Sequence, residues 1–261
     1  MMLSKAQIRF IRSLHQAKYR DQERMFLAEG HTLVRDFLFS SIKPYLICIQ
    51  ETWQQDHPDL ADGLGTTTLT DEKGMQAISL LSSPSPVLGV FHKPALTAPD
   101  ALLQGSALLY LDGIRDPGNM GTLLRTADWF GMKEVVMSPD CADPFNPKVV
   151  QSSMGSLAHL SLRIAAPADF FGGPARGRQV LGALLEGDSI YHFTPPQDAI
   201  LVIGNESQGI RTDVLPWITR KLTIPRAGQD ENHGAESLNA AIAGGILMAW
   251  MKDPRLNTST Q

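Results

Sequence analysis

The feature that most constrains this chain is the alternation of short apolar runs with helical segments over its second half. Candidate strands rich in valine, leucine and isoleucine lie at 107–111, 134–137, 160–164, 180–184, 200–203 and 221–224. Helical patterns lie at 121–130, 147–157 and 238–250. Apolar runs without polar alternation are typical of strands covered on both faces, and such strands alternate with helices in parallel sheets. We therefore predict an α/β fold with a parallel sheet.

A smaller α/β unit precedes this sheet. It combines a basic N-terminal helix with helical patterns at 31–39 and 71–81 and with short apolar strands at 45–49, 67–69 and 87–91. A stretch containing proline and alanine follows, as in linkers between domains. We predict an N-terminal domain at 1–92, a linker at 93–105, a larger domain at 106–253 and a polar tail at 254–261.

Composition excludes several classes of protein. Of the 261 residues, 43% are hydrophobic and 19% are charged, as in globular proteins with a packed core, and the net charge is −4. The two cysteines are too few for a disulfide framework, which favours the cytoplasm over secretion. The first residues lack the apolar stretch of a signal peptide, and no apolar run approaches the length of about 18 residues that spans a membrane. We therefore expect no membrane partner.

The sequence gives little indication of a metal site or of a reactive cysteine. The seven histidines show no ligand spacing with one another or with the cysteines, so we expect no metal. Cys141 lies beside Asp140 and close to Asp143, which leaves a reactive thiol open, although a lone cysteine is more often inert. A Gly-x-Ser-x-Gly elbow, a dinucleotide-binding Gly-x-Gly-x-x-Gly run and a Walker-type Gly-Lys-Ser/Thr are absent from the sequence. Hydrolases, dehydrogenases and P-loop proteins are thereby disfavoured.

The first 24 residues form a basic segment in an acidic protein. They carry six basic and two acidic side chains, a local net charge of +4. Helical spacing places Lys5, Arg9 and Arg12 on one face and the apolar residues on another. Such a face is either solvated or contacts phosphate groups, and charge alone does not decide between the two. The candidate phosphate-binding residues are Lys5, Arg9, Arg12, Lys18, Arg20 and Arg24.

Two motifs follow predicted strands of the larger domain. In the first, Asn119 can cap a helix and Arg125 can bind a phosphate, although a capped helix with a salt-bridged arginine fits the pattern equally well. In the second, Gly204, Glu206 and Gly209 follow a strand. Glycine at a strand end marks a tight turn or lets a flat ligand lie against the backbone. The carboxyl ends of parallel strands are where open α/β folds bind ligands, so we predict a site there.

A third motif joins the last strand to a helix of small residues. Ser237 is a natural N-cap for that helix, and Asn239 needs a partner if it is buried. Gly244 and Gly245 inside the helix each cost roughly 1 kcal/mol relative to alanine. Their presence therefore predicts that another element packs closely against this helix.

In this order and at these separations, the three motifs resemble the SpoU (TrmH-type) RNA ribose methyltransferases of the SPOUT superfamily. Residues 107–252 resemble the catalytic domain of that family, and residues 4–91 resemble its N-terminal substrate-binding domain. The resemblance implies a parallel α/β catalytic domain whose C-terminal part forms a trefoil knot. It also implies S-adenosylmethionine as the cofactor, RNA as the partner and a homodimer as the working form.

The resemblance also implies roles for individual residues. The catalytic residues it implies are Arg125, Asn119, Glu206, Ser237 and Asn239, and the cofactor-binding residues are Ile203, Gly204, Asn205, Ile224, Pro225 and Leu238. Arg125 either takes the proton of the ribose 2′-hydroxyl or positions a phosphate and stabilises the attacking oxygen. The segment at 226–236 is longer than the family pattern, and we expect it to loop out over the cofactor or against RNA.

The function that the resemblance implies is methyl transfer to a ribose 2′-hydroxyl, with ribosomal RNA favoured over transfer RNA. Two alternatives share the fold: methylation of a base, and a catalytically silent RNA-binding protein. The silent alternative is disfavoured because Asn119, Arg125 and Glu206 occur together with Ser237 and Asn239.

Overall fold

The structure is a computed structural model that describes residues 3–58, 66–96, 105–226, 236–253 and 255. Most of the predicted linker at 93–105, of the loop at 226–236 and of the tail at 254–261 lies outside the described residues. The chain forms two compact units. The first comprises Met1–Ala95 and Asp143–His159, and the second comprises Leu96–Ala142 and Leu160–Gln261.

The first unit is built on a four-stranded sheet. Its elements are α1 (Lys5–Ser13), α2 (Ala17–Glu23), β1 (Met25–Glu29), α3 (His31–Leu38), β2 (Pro44–Ile49), α4 (Glu51–Asp56), β3 (Thr67–Leu69), α5 (Glu72–Ile78) and β4 (Val87–His92). The strand order is β1-β4-β2-β3, with β4 antiparallel to both neighbours and β2 parallel to β3. Strand β1 was not predicted from the sequence, because it is buried and lacks the polar alternation of a half-exposed strand.

The second half of the chain contributes the larger sheet. Its elements are β5 (Leu108–Asp112), α6 (Pro117–Trp129), β6 (Glu134–Met137), α7 (Pro147–Ser153), β7 (Ser161–Ile164), α8 (Pro167–Gly172), β8 (Val180–Ser189), β9 (Ile200–Gly204), β10 (Arg220–Thr223) and α9 (Ala240–Met251). Short 3-10 turns lie at Ser156–Ala158, Ile190–His192 and Leu215–Trp217. The strand order is β10-β8-β9-β5-β6-β7, and every pairing is parallel. The predicted α/β fold with a parallel sheet is confirmed.

One segment of the predicted larger domain belongs to the first unit. Residues Asp143–His159, which include α7, group with Met1–Ala95 by their contacts. The ring of Phe145 lies 4.8 Å from that of Phe26 on β1, measured between centroids. The apolar residues of this segment complete the core of the first unit, so the chain leaves and re-enters the larger domain. Sequence periodicity describes a helix here but not the sheet against which it packs.

The predicted close packing around the glycines of α9 is present. A Cβ on Gly244 would clash with Cδ2 of the buried Leu123 on α6, whereas a Cβ on Gly245 would lie 3.8 Å from Cγ2 of Thr126. Because Gly244 lacks a side chain, α6 and α9 can lie directly against each other. Among the residues that the structure describes, no helix is both long and apolar enough to cross a bilayer.

Candidate active site

Side chains from the three sequence motifs meet in one hydrogen-bonded group. Asn119, on the first turns of α6, donates a hydrogen bond from Nδ2 to Oε1 of Glu206, which follows β9. Asn239, immediately before α9, donates from Nδ2 to Oδ1 of Asn119 over 3.0 Å. Parallel strands bring the residues after β5 and β9 to one edge of the sheet, because their carboxyl ends face the same way. The structure thus brings together three of the five predicted catalytic residues.

The N-cap of α9 is Asn239 and not Ser237, so that prediction was wrong. Oδ1 of Asn239 accepts hydrogen bonds from the backbone N–H groups of Ala241, at 2.9 Å, and Ile242, at 3.3 Å. Ser237 lies two residues before the cap and is exposed. A side chain caps a helix only from the residue that borders its first turn, and the helix begins at Ala240.

The N-cap of α6 is likewise a different residue from the predicted one. Oδ1 of Asp116 accepts a hydrogen bond from the backbone N–H of Asn119 at 2.8 Å, and Pro117 occupies the first turn. The side chain of Asn119 is therefore released from capping. It is half-buried and is free to bridge Glu206 and Asn239.

The hydrogen bonds of this group all run in one direction. Backbone N–H groups of α9 donate to Asn239, Asn239 donates to Asn119, and Asn119 donates to the carboxylate of Glu206. An ionised carboxylate only accepts hydrogen bonds, so the chain of donors ends there. Oε2 of Glu206 has no hydrogen-bond partner within the described part of the chain. The group therefore holds a half-buried acceptor at the edge of the sheet.

The turn after β9 is tightly packed at Gly204 and open to solvent at Gly209. A Cβ on Gly204 would clash with the backbone of Gly209, while a Cβ on Gly209, at φ +66°, would meet nothing within 4 Å. Asn205 closes the turn, since its Nδ2 donates to the carbonyl of Gly113 at 2.8 Å and its Oδ1 accepts from the backbone N–H of Ser207 at 2.9 Å. The side chain of Asn205 is thus used inside the loop, which leaves its backbone for a cofactor.

The other predicted cofactor residues differ in how far they reach the surface. The side chain of Ile203 is 2% exposed and points into the core beside Gly244, so only its backbone can contact a ligand. Ile224 is half-buried and Pro225 exposed, just after β10, and Leu238 is exposed just before the cap of α9. Both β9 and β10 pair with β8 in parallel, so their carboxyl ends lie at the same edge.

Arg125 does not join the hydrogen-bonded group. It is exposed on α6, six residues beyond Asn119, which corresponds to about 9 Å along a helix axis. Its guanidinium makes no ion pair or hydrogen bond with the residues that the structure describes. Arg125 is therefore available to an anion from outside the chain.

A second polar network, which was not predicted from the sequence, lies at this edge. Asp112, fully buried at the end of β5, accepts hydrogen bonds from the backbone N–H of Arg211 at 2.8 Å and from its Nε at 2.7 Å. Nη1 of Arg211 also lies 3.0 Å from Oδ1 of Asp140. An Asp-Gly pair directly after an apolar strand was the signal available in the sequence, and in the structure Gly113 has a φ of +65°.

The pKa values of the two carboxylates in this network, Asp112 and Asp140, are shifted in opposite directions. Burial raises the pKa of Asp112, although its hydrogen bonds with Arg211 oppose the shift. Burial alone would also raise the pKa of Asp140, but the Ser138 hydroxyl and Arg211 hold that pKa below its usual value. The network thus fixes the loops after β5, β6 and β9 to one another.

The two cysteines are free thiols, and neither is activated. Burial raises the pKa of Cys48 to about 12 and also raises the pKa of Cys141, whose Sγ lies 3.3 Å from the carbonyl of Leu111. Both shifts favour the neutral thiol over the nucleophilic thiolate. Among the described residues, no group of three histidine, cysteine, aspartate or glutamate side chains is placed to hold a metal ion.

The basic residues of the first unit divide into one buried and several exposed side chains. Arg20 was one of the candidate phosphate-binding residues, and this prediction was wrong, because the residue is only 1% exposed. Its Nη2 lies 2.8 Å from Oδ2 of Asp143, and its Nη1 donates to the carbonyls of Leu14 and His15. A guanidinium used in this way holds the fold. The exposed residues, which form what we call the basic surface, are Lys5, Arg9, Arg12, Lys18 and Arg24.

The fold and the site define a two-unit α/β protein whose ligand-binding edge is built from three motifs. The profile of the SpoU rRNA Methylase family matches residues 106–249, and that of an MRM3-like substrate binding domain matches residues 5–89. The chain belongs to the SpoU rRNA Methylase family. The resemblance carried by the three motifs is confirmed.

Individual relatives cover nearly the whole chain. The 23S rRNA (guanosine(2553)-2′-O)-methyltransferase RlmP of Bacillus subtilis is 32% identical over 91% of this chain and 92% of its own length. A TrmH-family structure from Porphyromonas gingivalis has a TM-score of 0.81 at 37% identity, covering 96% of this chain and 98% of that one. An AdoMet-bound rRNA methyltransferase structure from Sinorhizobium meliloti has a TM-score of 0.82 at 30% identity, covering 97% of this chain and 96% of that chain.

Proposed function

We propose that this protein uses S-adenosylmethionine to methylate a ribose 2′-hydroxyl in ribosomal RNA. The observation that carries the proposal is the hydrogen-bonded group of Asn119, Glu206 and Asn239, one residue from each motif. The Bacillus subtilis relative is named for 2′-O-methylation of 23S rRNA, and the Sinorhizobium meliloti structure is described as an AdoMet-bound rRNA methyltransferase. Transfer RNA is the second candidate substrate.

The residues at the end of β9 fit S-adenosylmethionine. The open side of Gly209 lets a flat ring lie against the backbone, and Ile224 and Leu238 supply apolar contacts. The backbone at Gly204, Ile224 and Leu238 would hold the cofactor. When bound, the cofactor supplies a methyl group on a positively charged sulfur.

The protein's own residues then align and assist the attacking oxygen. The hydroxyl proton must leave as the oxygen–carbon bond forms, so a fixed acceptor beside it lowers the barrier. Oε2 of Glu206 can accept a hydrogen bond from the ribose hydroxyl and then take its proton, because Oε1 is held by Asn119. Arg125 stays protonated, so its role is to bind a phosphate and stabilise the oxygen, and Ser237 assists in orienting the ribose.

The working form in this proposal is a homodimer joined through α6 and α9. On α9, Ile242 is 54% and Ile246 37% exposed, and on α6 Trp129 is 84% exposed. Gly245 and Thr126 are neighbours, so the apolar surface is continuous between the helices. A helix that is apolar on nearly every face is normally covered, and a second copy supplies the same apolar surface. Arg125 would then lie at the interface. The proposal also includes a trefoil knot in the C-terminal part of the larger domain and a cytoplasmic location of the protein.

Methyl transfer is tested with the full-length protein, labelled S-adenosylmethionine and total RNA from a strain lacking the gene. After alkaline digestion, we expect label in resistant dinucleotides, because a 2′-O-methyl group removes the hydroxyl that cleavage needs. Glu206→Gln is the matched control and should lose the label. Label in mononucleotides would identify a base as the target and contradict the proposal, while fractionated RNA distinguishes ribosomal from transfer RNA.

The dimer is tested by light scattering on the purified protein. We expect Ile242→Lys to shift the wild-type dimer to a monomer, because the lysine would be buried without a partner. Leu185→Lys, at a leucine on β8 that is 72% exposed, should leave the dimer intact. A wild-type protein that stays monomeric at micromolar concentration would contradict this part of the proposal.

A further inference from the structure

The first unit contains a cavity that plays no part in the site described above. Its volume is about 240 Å³, slightly below the range of roughly 300–1,000 Å³ for drug-sized ligands, which suits one planar ring system. Five parts of the chain surround it: β1, β4, α7, the residues after α1 and the residues after α5. The lining residues are His15, Leu27, Glu29, Leu80, Leu81, Leu88, Pro147, Lys148 and Gln151.

A buried carboxylate with one unused oxygen lies in this lining. Glu29 is 8% exposed, and its Oε1 accepts hydrogen bonds from the Ser79 hydroxyl at 2.6 Å and from the Ser85 backbone N–H at 3.1 Å. Oε2 has no hydrogen-bond partner among the described residues. Because Oε2 is neither partnered by these residues nor sealed from solvent, it can accept a hydrogen bond from an occupant of the cavity.

A half-buried histidine in the lining supplies a second acceptor. Nε2 of His15 lies 3.2 Å from the carbonyl of Ile78, and a carbonyl only accepts, so Nε2 carries the proton. Burial lowers the pKa of His15, which keeps the ring neutral and leaves Nδ1 as an acceptor. The occupant therefore needs hydrogen-bond donors on its edge and apolar faces for the leucines.

Two basic side chains lie near the cavity. Lys148 is exposed and belongs to its lining, and Arg12 is exposed on the last turn of α1, three residues before His15. The other residues of the basic surface continue along α1 and α2. A flat ring with edge donors, attached to a negatively charged backbone, is a nucleotide of RNA. Protein modules read single-stranded RNA through unstacked bases of this kind.

We propose that this cavity binds one unstacked base of the substrate RNA and that Glu29 selects bases with an exocyclic amino group. Adenine, cytosine and guanine donate from that group to a carboxylate oxygen. Uracil has one ring N–H, flanked by two carbonyl oxygens that a carboxylate repels, so it binds less well. The inference rests on the proposed function only in taking RNA as the ligand.

The test measures base preference with the full-length protein. Fluorescein-labelled RNA decamers of adenosine, cytidine or uridine are titrated and followed by anisotropy at constant salt. We expect the adenosine or cytidine decamer to bind at least about fivefold more tightly than the uridine decamer. Glu29→Gln replaces the acceptor with an N–H₂ donor and should remove or reverse that ratio. Glu23→Gln, which removes the same charge from an exposed site on α2, should leave the ratio unchanged.

Equal affinities for the three decamers, or the same ratio in both glutamine variants, would overturn the inference. If the Glu29→Gln variant is unfolded, as judged by the absence of a thermal unfolding transition, a Leu81→Phe variant is tested in its place. The larger side chain fills the cavity and leaves the carboxylate of Glu29 present. Adenosine affinity must then fall with uridine affinity unchanged, and an unchanged adenosine affinity overturns the inference. Methyl transfer is assayed in parallel: transfer without base preference defeats the inference alone, and preference without transfer defeats the proposed function alone.

Discussion

Two polar networks lie at the same edge of the larger sheet and differ in where their bonding capacity ends. Asp112 is fully buried, and its oxygens are used by Arg211 inside the protein. Glu206 is half-buried and keeps one oxygen without a partner in the described chain. A network that is complete within the protein stabilises the fold, whereas one that ends on an unused acceptor is ready for a ligand. The predictions below test that division.

The largest expected effect is on stability, from Asp112→Ala. Breaking a buried ion pair by removing one partner costs about 3–5 kcal/mol, because the remaining charge is left uncompensated. Arg211 keeps Asp140 at 3.0 Å, so we expect the lower end of that range. Urea unfolding followed by circular dichroism measures the change in the free energy of unfolding. Asp188→Ala, at an exposed ion pair with Arg220, should cost less than about 1 kcal/mol. Equal losses in the two variants would show that burial does not separate the networks.

The next effect is on activity, from Glu206→Gln. We expect kcat to fall by about 10²-fold or more, because the amide cannot act as a charged acceptor in the transition state. The free energy of unfolding should change by less than about 1 kcal/mol, since the residue is only half-buried. Single-turnover methyl transfer and urea unfolding on the same preparation measure both quantities. A large loss of stability with unchanged turnover would reverse the assignment of the two networks.

The third prediction extends the comparison to two arginines of the first unit. Arg20→Met should cost about 2–3 kcal/mol of unfolding free energy, because it removes a buried guanidinium from Asp143 and from two carbonyls. Lys93, with Nζ 3.6 Å from Asp143, limits the cost. Arg9→Met should change stability by less than about 0.5 kcal/mol and lower the salt dependence of RNA binding by about one unit of slope. Urea unfolding and RNA titrations at several salt concentrations measure both. Loss of RNA affinity in Arg20→Met with full stability would contradict the assignment.

These cases show how far the sequence could predict the structure. The parallel sheet was predictable because buried strands and helices leave distinct apolar patterns, and the three motifs fell where parallel strands end. Arg20 could not be distinguished from Arg9 by spacing, because the carboxylate that buries it, Asp143, is far away in the chain. The assignment of Asp143–His159 to the first unit could not be predicted either, because the apolar pattern of a helix does not tell which of two sheets it packs against.

The caps of α6 and α9 were missed for a more local reason. Asp116, Asn119, Ser237 and Asn239 are all residue types that cap helices, and only the backbone dihedral angles decide which one does. The actual cap lies three residues before the predicted one in α6 and two residues after it in α9. The displacement matters for function, because it leaves Asn119 free to bridge the other two motifs.

The smallest expected effect is on the pH dependence of stability and comes from His15. This residue has a hydrogen bond inside the protein, as Asp112 does, and also an unused acceptor, as Glu206 does. Burial lowers the pKa of His15 below its ordinary value of 6.5, so below that pH the unfolded chain binds a proton that the folded protein does not. The free energy of unfolding should therefore decrease as the pH falls from about 7.5 to about 5.5. His15→Asn keeps a donor for Ile78 and removes the titrating ring, so it should show a smaller difference in Tm between the two pH values. His92→Asn, at an exposed site on β4, should keep the wild-type difference. If His15→Asn and the wild type lose the same Tm on acidification, the ring is not held neutral by burial, and the cavity has one acceptor fewer than its geometry indicates.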